Sequence, residues 1–192
     1  MAAGNNSFDA IVVGTGISGG WAAKELTERG LKTLVLDRGR MVKHGEYPTA
    51  AEQIWELPYA GRPTQADLQE QAVAARAGVL SQATKHWFVN DGDHPYIEKK
   101  PFGWVRGYHV GGRSIMWGRQ SYRWSPMDFE ANAKEGIAID WPIRYEDLAP
   151  WYDHVESFIG VSGQAEGYEQ LPDGRFLPPM ALNCVELHLK QA

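Results

Sequence analysis

A short β-branched run leading straight into three spaced glycines constrains this chain more than any other feature. Phe8-Asp9-Ala10-Ile11-Val12-Val13 reads as a buried parallel strand, with its core at Ala10–Val13. It enters Gly14-Thr15-Gly16-Ile17-Ser18-Gly19-Gly20, a G-x-G-x-x-G match at Gly14, Gly16 and Gly19. Small and apolar residues then recur at helical spacing from Ser18 to Arg29, and Gly30 is placed to stop the helix. Leu31–Leu36 follows as a second strand, strongest over Thr33–Leu36, and ends in Asp37. The order is strand, glycine turn, helix, strand, acid.

That order has a chemical reading. Gly14 permits the tight turn, Gly16 leaves room for a pyrophosphate against the backbone, and Gly19 lets helix and strand approach. With Ile17 and Ser18 they form the positive N-terminal end of the helix, where an anion sits well. Asp37, about 20 residues on, is placed to accept hydrogen bonds from a ribose diol. Arg38 would suit a 2′-phosphate, which Asp37 would repel. The expectation is a dinucleotide site on an α/β, Rossmann-like domain, with FAD and NAD both open.

Beyond Asp37 the strand–helix alternation stops. Residues 41–106 carry five prolines and scattered aromatics and read as an excursion or lid, with one helical stretch expected from Gln65 to Leu80. A second glycine pair, Gly111-Gly112, precedes Arg113-Ser114-Ile115-Met116-Trp117-Gly118. Its exposed N–H groups and the Ser114 hydroxyl suit a cofactor cradle; a tight packing turn suits the pair equally.

Asp9–Arg38, the 111–118 segment, and Asp140-Trp141-Pro142-Ile143 with Tyr145-Glu146-Asp147-Leu148 and Pro150-Trp151-Tyr152 together resemble the glucose-methanol-choline oxidoreductase family. The likeness is to its bacterial sugar branch: pyranose 2-oxidase-like enzymes, gluconate and sorbitol dehydrogenase flavoprotein subunits, and FAD-dependent glucoside 3-dehydrogenases. The resemblance implies FAD, bound by Gly14, Gly16, Ile17, Ser18, Gly19, Asp37 and Arg38 at the ADP half. It also implies that Gly111, Gly112, Ser114, Met116, Trp117 and Gly118 lie along the pyrophosphate and flavin. Pyranose 2-oxidase-like members carry a flavin-linking histidine just before the motif tryptophan, where this chain has Met116. A thioether does not form that linkage, so FAD is expected to be held non-covalently. The implied reaction is hydride transfer from a CH–OH group of a sugar or glycoside to FAD. An electron-acceptor subunit is a partner the resemblance leaves room for.

Other candidates carry less. The six histidines (44, 86, 94, 109, 154, 188) form no metal-binding set, and none of the six is assigned as catalytic; His109, beside the glycine pair, suits an approach to the flavin but better suits a packed strand or loop. Ser114 lacks a nucleophile-elbow setting. Arg119, Tyr122, Arg123 and Trp124 suit either a sugar ring or a loop over the cofactor. Trp151, Tyr152, Val155 and Phe158 share a helix face expected to pack, and the lone Cys184 reads as a small buried residue.

A formal charge of −5, from 19 basic and 24 acidic residues, and the lack of a basic run exclude nucleic acid as the main partner. No apolar run reaches the ~18 residues of a membrane span, and the start lacks an export signal, so the expectation is cytoplasmic. A doubly wound sheet needs about five strands, and two are evident. The expected domain plan is 1–40 as the first unit of the FAD-binding domain, 41–106 as the excursion, 107–160 as a second FAD-contacting segment, and 161–192 as the start of a truncated substrate domain. The chain is thus expected to be the N-terminal portion of a longer flavoprotein, inactive alone. Its catalytic base would lie in a missing C-terminal portion or in a complementing chain of a split enzyme. An NAD(P)-binding module without flavin chemistry is the remaining alternative.

Overall fold

The computed structural model describes residues 7–192, in two compact units that meet in sequence at Gly118 and Arg119. In the first, β1 (Ala10–Val13) and β2 (Thr33–Leu36) pair in parallel, in a register set by Ala10 opposite Thr33 and Val13 opposite Leu36. The strands fall on the residues expected from the β-branched runs. Between them α1 (Ile17–Glu28) packs on both, a right-sized crossover for parallel strands. Gly30, at φ +83°, ends α1: its N–H bonds Thr27 O and that of Leu31 bonds Leu26 O. This is the paired bonding of a left-handed helix cap.

The excursion has a core of its own, including Leu57, Val73, Ala74, Leu80, Ala83 and Val89. The expected 65–80 helix is instead two short helices, α2 (Gln65–Glu70) and α3 (Ala72–Arg76). They break at Gln71, whose backbone leaves the helical region (φ −124°, ψ 47°). Its buried side-chain amide donates to Lys85 O and Phe88 O, and Asp91 accepts from Val73 N. These long-range bonds outweigh the local helical periodicity. Asp67 ties α2 down further: it caps with Thr64 and accepts from Lys85 and Gln82, and the Thr64 N–H, then Lys85, hold its carboxyl well below the usual range. The excursion closes where Arg40 and His109 form a parallel bridge.

The second unit contains α4 (Pro126–Glu135), α5 (Tyr145–Ile159) and α6 (Cys184–Gln191). Phe129 of α4 is 1% exposed and contacts Trp124. Two expectations are corrected here. Trp151 and Phe158 of α5 are about 60% exposed rather than packed, and Cys184 is exposed at the first turn of α6 rather than buried.

Candidate functional site

The glycine turn divides its labour among its glycines. Gly14 takes φ +93°, and its N–H continues the ladder to Leu36 O. A Cβ on Gly19 would sit 2.0 Å from the Gly14 carbonyl oxygen, so α1 reaches β1 only without a side chain there. Gly16 is the N-cap of α1 and supplies no capping side chain, and the first turn carries no acid. The N–H groups of the first turn therefore have no side-chain acceptor, the arrangement that favours an anion. Ser18 lies exposed in that turn.

Asp37 follows β2. Its Oδ2 accepts from the Thr15 N–H at 2.8 Å and from the Thr15 hydroxyl, and its Oδ1 accepts from Gly39 N at 2.9 Å. The Thr15 hydroxyl, with the Gly39 and Thr15 N–H groups, lowers the Asp37 pKa to about 2. The carboxylate is ionised at any ordinary pH and rigidly held. Arg38 lays its guanidinium 3.7 Å above the Tyr108 ring, a cation–π contact.

The second glycine segment differs from the cradle expected of it. Gly111 N–H donates to Thr15 Oγ1 at 2.8 Å, and Gly112 N–H donates to His109 O at 2.8 Å. The Ser114 hydroxyl turns back onto Gly111 O. These groups bond within the chain instead of facing a ligand. What the pair provides is left-handed backbone, φ +91° and +53°, and close approach: a Cβ on Gly112 would lie 3.2 Å from Gly16 Cα. The 3₁₀ turn Gly112–Ile115 thereby lies against α1.

Gly16 and Ile17 of the loop, and Arg113, Ser114, Met116 and Trp117 of the second segment, line one side of a cavity of about 740 Å³. Val79, Thr84, Trp87, Phe88 and Val105 of the excursion line the rest. The walls are mostly apolar, which suits a planar ring system beside an anion-binding helix end. Of the expected site residues Gly16, Ile17, Ser114, Met116 and Trp117 line the cavity, whereas Gly14, Ser18, Gly19, Asp37, Arg38, Gly111, Gly112 and Gly118 do not. His109 is 3% exposed and packs edge-on to Trp87, with centroids 5.4 Å apart. Neither ring nitrogen of His109 or His86 has a side-chain or backbone partner among the described residues, and burial lowers both pKa values, favouring the neutral rings.

Sequence reasoning missed three residues. Thr15 joins Asp37 to Gly111, though nothing in its spacing marks it. Gly39 permits the crossing at His109, since its Cβ would lie 2.2 Å from His109 N; the Gly after Asp37-Arg38 was a readable signal. Gly107 makes room for Met116 and His109. In the second unit Arg123 is 7% exposed and bonds Glu156, Asp153 and Tyr145. Its guanidinium is therefore engaged inside the fold and not open to a sugar. Among the described residues no three His, Cys, Asp or Glu side chains gather as a metal-binding set, and no helix is long and apolar enough to cross a membrane.

The uncapped helix end, the glycine close approach and the adjoining apolar cavity all fit FAD. Comparison with known proteins agrees. The chain is 31% identical over 172 residues to a gluconate 2-dehydrogenase flavoprotein of Pantoea cypripedii, covering 82% of this chain and 26% of that one. It is 27% identical over 175 residues to a 2-methyl-1,2-propanediol dehydrogenase of Mycolicibacterium austroafricanum, covering 90% and 28%. It is also 27% identical over 181 residues to the fructose dehydrogenase large subunit of Gluconobacter japonicus, covering 91% and 30%. These are sugar and alcohol oxidoreductases of the kind the glucose-methanol-choline resemblance implies, and the chain spans under a third of their length. The FAD dependent oxidoreductase profile matches residues 9–132, from the start of β1 into α4. On that match, the chain belongs to the FAD dependent oxidoreductase family.

Proposed function

We propose that this chain is the FAD-binding portion of an oxidoreductase acting on CH–OH groups of sugars or glycosides. The observation that carries the reading is the shared cavity: the uncapped N-terminus of α1 at Gly16 and Ile17 opens into the space lined by Ser114, Met116 and Trp117. The chemistry FAD supplies when bound is acceptance of a hydride from the alcohol carbon. The chain's residues bind and orient. The N–H groups at the start of α1 would hold the pyrophosphate, Asp37 would offer a ribose its fixed negative charge, and the Trp87, Phe88 and Val79 wall would exclude water. Arg38, Ser18, Gly111, Gly112 and Gly118 complete the cofactor set, the glycine pair by close approach. No residue of this chain is assigned as the catalytic base.

Met116, lining the cavity where covalent relatives are expected to carry a histidine, supports non-covalent FAD. Tryptic digestion and mass spectrometry of FAD-loaded protein should yield no flavin-linked peptide, and finding one would refute that point. Further polypeptide, either more of the same chain or a complementing one, is proposed to cover β1 and β2 and to bring the base. The exposure of Ile11, Val13, Val35 and Leu36 supports this, as does the fraction of each relative that the chain spans. Following loop amide resonances while FAD or NAD is added tests the reading. Shifts at Gly16 and Ile17 with FAD are expected; a response to NAD alone would favour a nicotinamide module.

A further inference from the structure

Thr15 lies between two motif glycines, at a position to which the motif assigns no task. Three bonds meet on it. Its N–H donates to Asp37 Oδ2 at 2.8 Å, its hydroxyl donates to the same oxygen, and the hydroxyl oxygen accepts from Gly111 N, 96 residues away, at 2.8 Å. The proton positions follow from the chemistry of the partners. An ionised carboxylate only accepts and an amide N–H only donates, so the hydroxyl proton faces Asp37 and a lone pair faces Gly111.

We propose that Thr15 is the positioning residue of the dinucleotide site, its hydroxyl fixing the separation between the first glycine loop and the Gly111–Gly112 segment. The surroundings make the separation consequential. Gly112 approaches Gly16 so closely that an added Cβ would stand 3.2 Å from Gly16 Cα. Gly16 and Ser114 line the same cavity from opposite segments. The Gly111 carbonyl is already held by Ser114 and the Gly112 N–H by His109. Among the described residues the Gly111 N–H bond to Thr15 is thus a direct polar link between the segment and the loop. Charge assistance from Asp37 strengthens it, because a hydroxyl donating to an ionised acceptor is polarised into a better acceptor itself.

Valine at position 15 keeps the β-branched shape and removes donor and acceptor together, leaving the Gly111 N–H without a partner. Serine restores both. The inference rests on the FAD reading, and the experiment separates the two. Amide and carboxyl resonances of the chain are followed with added FAD in the wild type, Thr15→Val and Thr15→Ser. The wild type and Thr15→Ser should bind FAD within about twofold of each other, and Thr15→Val roughly tenfold more weakly. In Thr15→Val the Gly111 amide should exchange rapidly with solvent, and the Asp37 carboxyl should titrate at higher pH. If Thr15→Val does not fold, Thr15→Ala read in the same way decides. Equal FAD binding by the valine variant and the wild type would overturn the inference alone, as would a serine variant as weak as valine. A wild-type chain whose loop amides ignore FAD would overturn the FAD reading, and the inference with it.

Discussion

Gly16 and Gly19 belong to one motif and answer to different constraints. A methyl on Gly19 meets the Gly14 carbonyl at 2.0 Å, a contact inside the chain itself. A methyl on Gly16 meets nothing within 4 Å, and its φ of −62° suits any residue. The chain itself therefore sets no need for glycine at 16; the proposed pyrophosphate does. Gly19→Ala should destabilise the apo chain by at least about 1–3 kcal/mol, as overpacking does. Gly16→Ala should leave apo stability within about 0.5 kcal/mol of wild type while weakening FAD binding. Denaturant melts paired with FAD titrations check both. Asp37 sets a pH dependence at the same scale. Its folded pKa, about 2, lies below the ordinary 3.8, so its contribution to stability is present above about pH 4 and is lost as pH falls towards 2. The acid limb of a stability profile should therefore be shallower over that window in Asp37→Asn than in the wild type.

At the scale of elements, α5 is anchored through one buried cation. Arg123, 5% exposed at its side chain, pairs with Glu156 at 9% and with Asp153, and its own pKa is raised, chiefly by the Glu156 bond. Arg123→Met leaves the Glu156 charge buried and unpaired, and should cost about 3–5 kcal/mol of stability in the second unit. Arg123→Met with Glu156→Met should recover much of that in chemical denaturation, because no lone charge remains. The network also shows where sequence legibility ended. β1, β2 and the Gly30 stop were readable because local patterning decides them: β-branched runs make strands, and a left-handed glycine ends a helix. The break at Gln71 was not readable, since it depends on carbonyls 14 and 17 residues away. Thr15 escaped notice for the same reason, its acceptor role needing Gly111. Arg123 was read as equally suited to a sugar or a loop, and only the packing of Glu156 and Asp153 around it removes the choice. The glycine loop was legible as a cofactor motif because its constraint is local geometry; for the second pair the sequence leaves a cradle and a packing turn equally open, and the bonds of Gly111 and Gly112 to Thr15 and His109 depend on the fold.

On the scale of the whole molecule, the strands are under-covered. Of the eight residues in β1 and β2 only Val12 is buried, while Val13 is 82% and Ile11 61% exposed. Parallel strands are ordinarily covered on both faces. Val12→Ala should cost about 1–3 kcal/mol. Val13→Lys should change the stability of this chain by less than about 0.5 kcal/mol, yet, on the proposal that further polypeptide covers β1, lower the yield of the completed protein. Thermal melts of the chain and activity of the completed protein read the two sides of that prediction; a large loss in the chain alone would show that the face is already covered.

The Arg40–His109 bridge and the bare Gly39 that admits it bring the two ends of the excursion side by side. Chain leaves the glycine-loop part of the unit and returns to it at one spot, so the two ends of the excursion are held side by side. Closing a loop costs only about 0.6 kcal/mol more for each doubling of its length. A change of length within residues 41–106 would then retune the cavity wall that Trp87 and Phe88 supply while the glycine loop stays as it is.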